Sequence, residues 1–204
     1  GVKTGPAVFC AFHCDEGGIT LWLDARSGGR AARLTEPLVA CEVVCREGKP
    51  GEHPFFAAQA FCRMMCEQPN LPKEPIFGVN NWYWAYGKID YETVMRETAY
   101  LSEMTVDCVC RPHMIIDDGW QTYSCDGPWD ELRDTFHNMK TLASDMRKIG
   151  VRPGIWVRYL IDTHHEIKGA MPHWYLEKRP DFLDPSVPEV IEYIKKTTGM
   201  FREW

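Results

Sequence analysis

The chain has 204 residues, 45% hydrophobic and 12% aromatic, which is enough for one or two domains with a substantial core. Its formal net charge is −6 and no block of basic residues occurs, so nucleic acid is not an expected partner. A run of about 18 apolar residues, the minimum for a membrane-spanning helix, is absent from the sequence.

The first 74 residues are predicted to be the end of an antiparallel β-domain. The predicted elements are strands over 8–12, 19–23 and 38–45 and a helix over 55–67. The proline-rich segment 69–75 is expected to be a linker, so we place a domain boundary at its end. The sequence starts without a methionine or a signal-peptide pattern, and Gly1 is expected to lie inside a longer protein.

From residue 75 the pattern changes to strands alternating with helices, which is typical of a parallel sheet. The predicted elements are strands over 76–82, 114–116 and 151–160, with helices that begin at Asp90, at Asp130 and at the capping box Ser186–Glu189. Doubly wound sheets and (β/α)8 barrels both fit this order. A glycine-rich phosphate turn follows none of the strands, which argues against a nucleotide-binding sheet.

Nine cysteines are present, and six of them form pairs spaced by four residues: Cys10 and Cys14, Cys41 and Cys45, Cys62 and Cys66. Only the last pair lies in a predicted helix, where this spacing shares one face and could hold a metal. We expect reduced, buried thiols in a cytoplasmic protein instead. The adjacent His164 and His165 point apart in an extended segment, so neither a metal nor another cofactor is expected.

Each predicted strand of the second half ends in polar or aromatic residues. These segments are Asn80-Asn81-Trp82-Tyr83-Trp84, Asp117-Asp118-Gly119-Trp120 and Trp156-Val157-Arg158-Tyr159. Carboxylates accept hydrogen bonds from sugar hydroxyls, and an exposed indole, here expected of Trp120, stacks on a pyranose. Each residue also has a structural alternative: the Asp-Gly pair as a turn, Trp82 and Trp156 as core, and Arg158 as an ion-pair partner. Taken together, the three strand ends favour a sugar site.

Four motifs together resemble the melibiase-type α-galactosidases: Gly78-Val-Asn-Asn-Trp82, Ile115-Ile-Asp-Asp-Gly-Trp120, Arg152-Pro-Gly-Ile-Trp156 and Phe182-Leu-Asp-Pro-Ser186. The resemblance covers residues 75–204 and implies an α/β fold made of the first three βα units of a (β/α)8 TIM barrel. Residues 1–74 would then be the end of the β-sandwich-like domain that precedes the barrel, with its connecting helix and linker.

The resemblance also implies roles for single residues. Trp82 would line the sugar pocket, Asp117 and Asp118 would accept hydrogen bonds from galactose hydroxyls, and Trp156 would be the aromatic residue after the third strand. Arg179 matches a pocket arginine, with a spacing that differs by one residue. Arg158 is added as a substrate-binding residue from its place at a strand end. It stands in Val157-Arg158-Tyr159, where many members carry Phe-Glu-Pro, so substrate preference is expected to differ.

The parent enzyme would remove a terminal α-galactosyl residue from an oligosaccharide with retention, using two carboxylates and no metal. Adjacent Asp117 and Asp118 should point to opposite faces of a strand, so they are not that pair. The family's nucleophile and acid/base lie on strands four and six, beyond Trp204, and the isolated chain is expected to be inactive and prone to aggregate.

Three alternatives remain at this point. One is an α-glycosidase or transglycosylase for another sugar, and the second is a carbohydrate-binding barrel without catalysis. The third is a zinc protein that uses the cysteine pairs. Assembly of the parent into homo-oligomers is left open.

Overall fold

The computed structural model describes residues 2–3, 9–24 and 35–204. They belong to two compact units, Gly1–Leu71 and Pro72–Trp204, which divide within the proline-rich segment 69–75. Val8, the first residue of a predicted strand, lies outside the described residues. Among the described residues, none of the helices combines the length and the apolar composition that a membrane-spanning segment requires.

The first unit contains two antiparallel strand pairs and one helix. Strands β1 (Val2–Lys3) and β4 (Glu42–Val43) pair with each other, and β2 (Phe9–Asp15) pairs with β3 (Gly18–Asp24) as a hairpin. Helix α1 follows over Pro54–Met65. The strand predicted over 38–45 is therefore reduced to two paired residues. Within the described part of this unit no residue is buried.

The cysteines differ from the prediction of buried thiols. All nine are free and described; five are exposed, four are partly buried and none is buried. None of the residues described in the first unit is buried, so nothing there covers the thiols fully. In the second unit, Cys108 is exposed and Cys110 is partly buried.

The second unit is built on a parallel three-stranded sheet. Its order is β5 (Gly78–Asn80), β6 (His113–Ile116) and β7 (Arg152–Ile155). Gly78 approaches β6 so closely that a Cβ atom would lie 1.8 Å from the His113 carbonyl oxygen, so only glycine fits there. The mixed helix-and-sheet class predicted from the sequence is confirmed.

Four helices accompany the sheet: α2 (Trp82–Ala85), α3 (Tyr91–Met104), α4 (Met139–Lys148) and α5 (Pro188–Glu203). Helix α3 begins as predicted, since the Asp90 carboxylate accepts a hydrogen bond from the Thr93 amide at 2.7 Å. On β6, Met114 and Ile116 are buried. They belong to a core shared by the helices and the loops after the strands.

The start of α4 was predicted wrongly. The helix begins at Met139, where Asn138 caps it by accepting from the Thr141 amide at 2.9 Å, and not at Asp130. The preceding segment bridges back to the chain after β6, because the Arg133 amide donates to the Trp120 carbonyl at 2.9 Å. Apolar residues of that segment still enter the core, which explains why the helical pattern looked continuous.

The capping box predicted for α5 is also wrong. The N-cap is Val187, which makes no side-chain capping bond. The Ser186 amide and hydroxyl instead both donate to the Asp184 carboxylate, at 2.9 and 2.6 Å. These two hydrogen bonds close the turn before α5. The Ser186 hydroxyl is therefore not available to cap the helix.

The third strand is shorter than predicted, and a second small sheet follows it. The chain after β7 forms a short 3-10 helix over Pro172–Trp174 and the antiparallel pair β8 (Tyr175–Leu176) and β9 (Arg179–Leu183). The amide of Leu183 donates to the Leu160 carbonyl at 3.0 Å, so the hairpin is attached to the loop that leaves the parallel sheet.

Candidate sugar-binding site

The site lies where the three parallel strands end. Asn80 pairs in register with Ile115 on β6, and Ile115 pairs with Gly154 on β7. Residues of a parallel sheet that share a register share a face, and alternate residues along one strand return to that face. Asn80 and Ile115 therefore belong to the same side of the sheet. Asp117 and Asp118 follow directly after the end of β6, with Asp118 in a turn.

Asp117 is held at this edge by the end of β5. The Asn80 side-chain amide donates to one oxygen of the Asp117 carboxylate, and the Asp118 amide donates to the other at 2.7 Å. The Asp117 amide itself donates to the Asn81 side-chain oxygen at 2.9 Å. A carboxylate has about four acceptor positions. Since two groups among the described residues donate to Asp117, it keeps acceptor capacity for a ligand.

Trp82 is connected to Asp117 through Asn80. Its amide donates to the Asn80 side-chain oxygen at 2.8 Å, so the residue that orients Asp117 also fixes the start of α2. The Trp82 ring is partly buried and lies 5.6 Å from the Tyr86 ring. Asn80, Trp82 and Asp117 together are called the open edge below.

The surroundings of Asp118 differ from those of Asp117. It is 1% exposed, and its carboxylate is enclosed by residues 118–125, called the Asp118 loop below. One oxygen accepts from the Gln121 side-chain amide and the Cys125 backbone amide. The other accepts from the Ser124 hydroxyl and, at 3.3 Å, from the Cys125 thiol. A carboxylate has about four acceptor positions, and these four donors fill them. The hydrogen-bonding capacity of Asp118 is therefore used within its own loop.

The charge of Asp118 is stabilised by these bonds. Burial alone raises the pKa of its carboxyl, but the hydrogen bonds from Ser124, Cys125 and Gln121 outweigh that effect and lower the pKa below its usual value. The pKa of the partner thiol shifts in the opposite direction, because burial and the hydrogen bond to Asp118 raise the pKa of Cys125. Asp118 is therefore ionised and Cys125 protonated at neutral pH.

Glycine is required where the Asp118 loop meets the chain after α2. Gly119 has a φ of +111°, and a Cβ atom on it would lie 2.4 Å from the Gly87 carbonyl oxygen. That same oxygen accepts a hydrogen bond from the Arg133 guanidinium at 3.0 Å. The two segments are thus in direct backbone contact, which fixes the position of the loop against α2.

Trp120, expected to be an exposed sugar-stacking ring, is completely buried. Its indole N–H donates to the Trp156 carbonyl oxygen at 2.9 Å, and its ring packs on Trp129 and Phe201. Trp156 is partly buried, with its ring edge-on to Trp129 at 6.0 Å. Trp120 thus belongs to the buried core, and Trp156 packs against it.

The two predicted arginines are placed differently. Arg158 is exposed, and its positive charge acts to lower the pKa of Cys125, which puts it near the Asp118 loop. Arg179 lies at the start of β9 with its guanidinium 4.4 Å from the centre of the Phe182 ring. Within the described residues, no hydrogen bond, ion pair or ring contact joins Arg179 to Asp117, Asp118 or Trp82.

Sequence reasoning missed the residues that surround Asp118. Gln121, Ser124 and Cys125 lie three, six and seven positions after it, in a loop without periodicity, and they meet it only through the fold. A high density of polar side chains after the Asp-Gly pair was the available signal. Asn80 was noted only as part of a motif, although it contacts Asp117 directly.

A metal centre is not found in the described ranges, where no group of three or more His, Cys, Asp or Glu residues is placed to hold an ion. His164 and His165 point apart, since one stacks on Tyr123 at 4.1 Å and the other lies 4.5 Å from the Tyr175 ring.

Comparison with known proteins gives structural matches only. No protein-family model matches the chain, and no curated protein matches it significantly. A variant of the GH36 α-galactosidase AgaA from Geobacillus stearothermophilus, solved with 1-deoxygalactonojirimycin, aligns with a TM-score of 0.51 and 21% identity. The alignment covers 63% of this chain and 20% of that one.

A second match is α-galactosidase I from Mortierella vinacea. It aligns with a TM-score of 0.36 and 21% identity, over 42% of this chain and 22% of that one. The chain thus spans about a fifth of the length of either enzyme. The likeness to the bacterial enzyme shows a shared fold over the aligned part.

Proposed function

We propose that this chain supplies the first part of the sugar-binding barrel of a retaining glycoside hydrolase that removes terminal α-galactosyl residues from oligosaccharides. The observation that carries the proposal is the contact between Asn80 and Asp117 at the carboxyl ends of adjacent parallel strands. In (β/α)8 barrels this is the edge at which substrates bind.

In this proposal Asp117 accepts hydrogen bonds from sugar hydroxyls and Trp82 offers its ring to the apolar face of the pyranose. Asn80 supports both residues, because its amide donates to the Asp117 carboxylate while its oxygen accepts from the Trp82 amide. Asp117 is 8% exposed and keeps two acceptor positions, which is the state of a group prepared for a hydroxyl donor.

The second aspartate has a different role in the proposal. Asp118 holds the loop that borders the site, because all its acceptor positions are filled by Gln121, Ser124 and Cys125. Of the residues expected to bind sugar, Asp118 and Trp156 then position the site, and Arg158 flanks it. Arg179 is left without a contact that would bring it to the open edge.

We further propose that the 204-residue chain does not hydrolyse galactosides by itself. A general acid needs a carboxyl with a raised pKa, whereas the pKa of Asp118 is lowered and its oxygens are buried. Asp117 and Asp118 do not form a retaining pair in this proposal, since such carboxyls flank one bond about 5–5.5 Å apart and the oxygens of Asp118 are engaged by its own loop. The catalytic carboxylates would come from further strands of the barrel.

Titration of the chain with methyl α-D-galactopyranoside, followed through its tryptophan indole N–H signals by NMR, tests the proposal. We expect the Trp82 signal to shift in a saturable way, while the buried Trp120 and Trp129 signals move little. Methyl α-D-glucopyranoside, which differs only at the fourth hydroxyl, should bind more weakly. Equal responses to both sugars would favour the α-glycosidase for another sugar, and no response to either would contradict the proposal.

A further inference from the structure

Asn81 stands at the junction of β5 and α2, and its side chain does not serve the helix that it begins. Its carbonyl oxygen accepts the first hydrogen bond of α2, from the Ala85 amide at 3.1 Å, so Asn81 is the N-cap. An asparagine N-cap commonly accepts a second bond, through its side chain, from an amide of the first turn. The Asn81 side chain makes no such bond, and the Trp82 amide is bound by Asn80 instead.

The Asn81 side chain binds the backbone at Asp117. Its oxygen accepts from the Asp117 amide at 2.9 Å, and since Asn81 is only 1% exposed, bulk water has little access to this bond. The Asp117 carboxylate is held separately, by the Asn80 side chain and the Asp118 amide. Asn81 therefore fixes the backbone position from which that carboxylate projects.

The other end of the Asn81 side chain is unpaired. Its amide nitrogen is buried and meets no acceptor among the residues that the structure describes. Rotating the amide by half a turn does not help, because the nitrogen would then face the Asp117 N–H, which is also a donor. A buried donor without an acceptor costs free energy, and this cost offsets the gain from the bond to Asp117. Net stability therefore does not account for an asparagine at this position.

We infer that Asn81 is a positioning residue of the sugar site: it holds the Asp117 backbone so that the carboxylate stays in the direction from which a sugar hydroxyl donates to it. This inference rests on the proposed function. A group that is fixed before the ligand arrives loses less conformational freedom when the ligand binds. Loss of the Asn81 anchor should therefore weaken sugar binding without a matching loss of stability.

The test is Asn81→Leu, which has nearly the same size and removes both the acceptor and the unpaired donor. Hydrogen exchange followed by NMR should show the Asp117 amide exchanging about tenfold faster, as expected for one lost hydrogen bond. Titration with methyl α-D-galactopyranoside should show about three- to tenfold weaker binding. The urea midpoint should stay close to that of the unmodified chain, because the two changes at Asn81 offset each other.

Asn138→Leu is the matched control. Asn138 is also an N-cap, but its side chain caps its own helix, α4, by accepting from the Thr141 amide. This variant should lower the urea midpoint and leave both the exchange of the Asp117 amide and the sugar affinity as they are in the unmodified chain. The two asparagines should thus give opposite results for binding and stability.

If Asn81→Leu leaves either the Asp117 amide exchange or the sugar affinity unchanged, the inference is wrong while the proposed function stands. It is also overturned if the urea midpoint falls as far as in Asn138→Leu, because Asn81 would then serve the fold. If the unmodified chain does not bind the galactoside, the proposed function and this inference fail together.

Discussion

At the open edge, Asp117 accepts hydrogen bonds from two groups of the described chain, whereas in the Asp118 loop the next residue accepts four. The exposed fractions are 8% and 1%. The two neighbouring carboxylates therefore differ in their free acceptor positions: Asp117 keeps some for a ligand, and Asp118 has none left. An aspartate pair in a motif need not share one function, because adjacent residues can have different hydrogen-bond partners.

The largest expected effect concerns Asp118. Asp118→Ala removes four hydrogen bonds and leaves the buried Gln121 amide and the partly buried Cys125 amide without this partner, so we expect the free energy of unfolding to fall by about 3–4 kcal/mol. Urea denaturation of the chain measures this. Asp107→Ala, at an exposed aspartate of the same unit, should change it by less than about 0.5 kcal/mol. Equal effects at both sites would show that the loop does not depend on Asp118.

The contact between Gly119 and Gly87 is the next test of the closed loop. Gly119→Ala places a methyl group within 2.4 Å of a carbonyl oxygen at a φ of +111°, and we expect a loss of about 2 kcal/mol or more. Gly199→Ala is a matched control in α5, where a Cβ atom meets nothing within 4 Å. That change should stabilise the chain by about 0.5–1 kcal/mol. A neutral Gly119→Ala variant would contradict the packing of the loop.

Removal of one donor gives a smaller effect. Ser124→Ala deletes the hydroxyl that donates to Asp118 and leaves the other donors in place, so the expected loss is about 1 kcal/mol. The double variant with Asp118→Ala should lose less than the sum of the two single changes, since the residues interact. Strict additivity in the urea-unfolding cycle would contradict the hydrogen bond.

The smallest expected effect is a pH dependence of stability. The pKa of Asp118 is lower in the folded chain than its usual unfolded value of about 3.9. Its ionised form therefore adds stability that is fully present above about pH 4 and is lost as the pH falls through the lower folded-state pKa. The urea unfolding midpoints of the chain and of its Asp118→Asn variant should differ above about pH 4 and converge as the pH falls below it. A constant difference would show that the pKa is unchanged on folding.

The sequence was sufficient for the positions of the three parallel strands. An apolar run that ends in polar residues located β6 (His113–Ile116). It was not sufficient for α4, because Phe136 is buried in an irregular segment and continues the apolar spacing of the helix. The spacing of apolar residues indicates which residues are buried, but it does not show whether the backbone between them is helical.

The surroundings of Asp118 could not be predicted for a different reason. They depend on a loop in which Cys125 adopts a φ of +59° and Gly119 a φ of +111°, and no local propensity specifies that combination. The burial of Trp120 could not be predicted from the sequence either. Its place in the motif made it a candidate for sugar stacking, but the core formed by Trp129 and Phe201 covers its ring.

We propose that Asp117 binds sugar while Asp118 holds its own loop together. The most direct measurement is the affinity of the chain for methyl α-D-galactopyranoside, taken together with urea stability, for Asp117→Asn and Asp118→Asn. We predict that Asp117→Asn weakens binding about tenfold or more, equivalent to about 1.4 kcal/mol, and lowers stability by less than about 1 kcal/mol. Asp118→Asn should mainly lower stability. If Asp117→Asn binds the sugar like the unmodified chain, the open edge is not the sugar site.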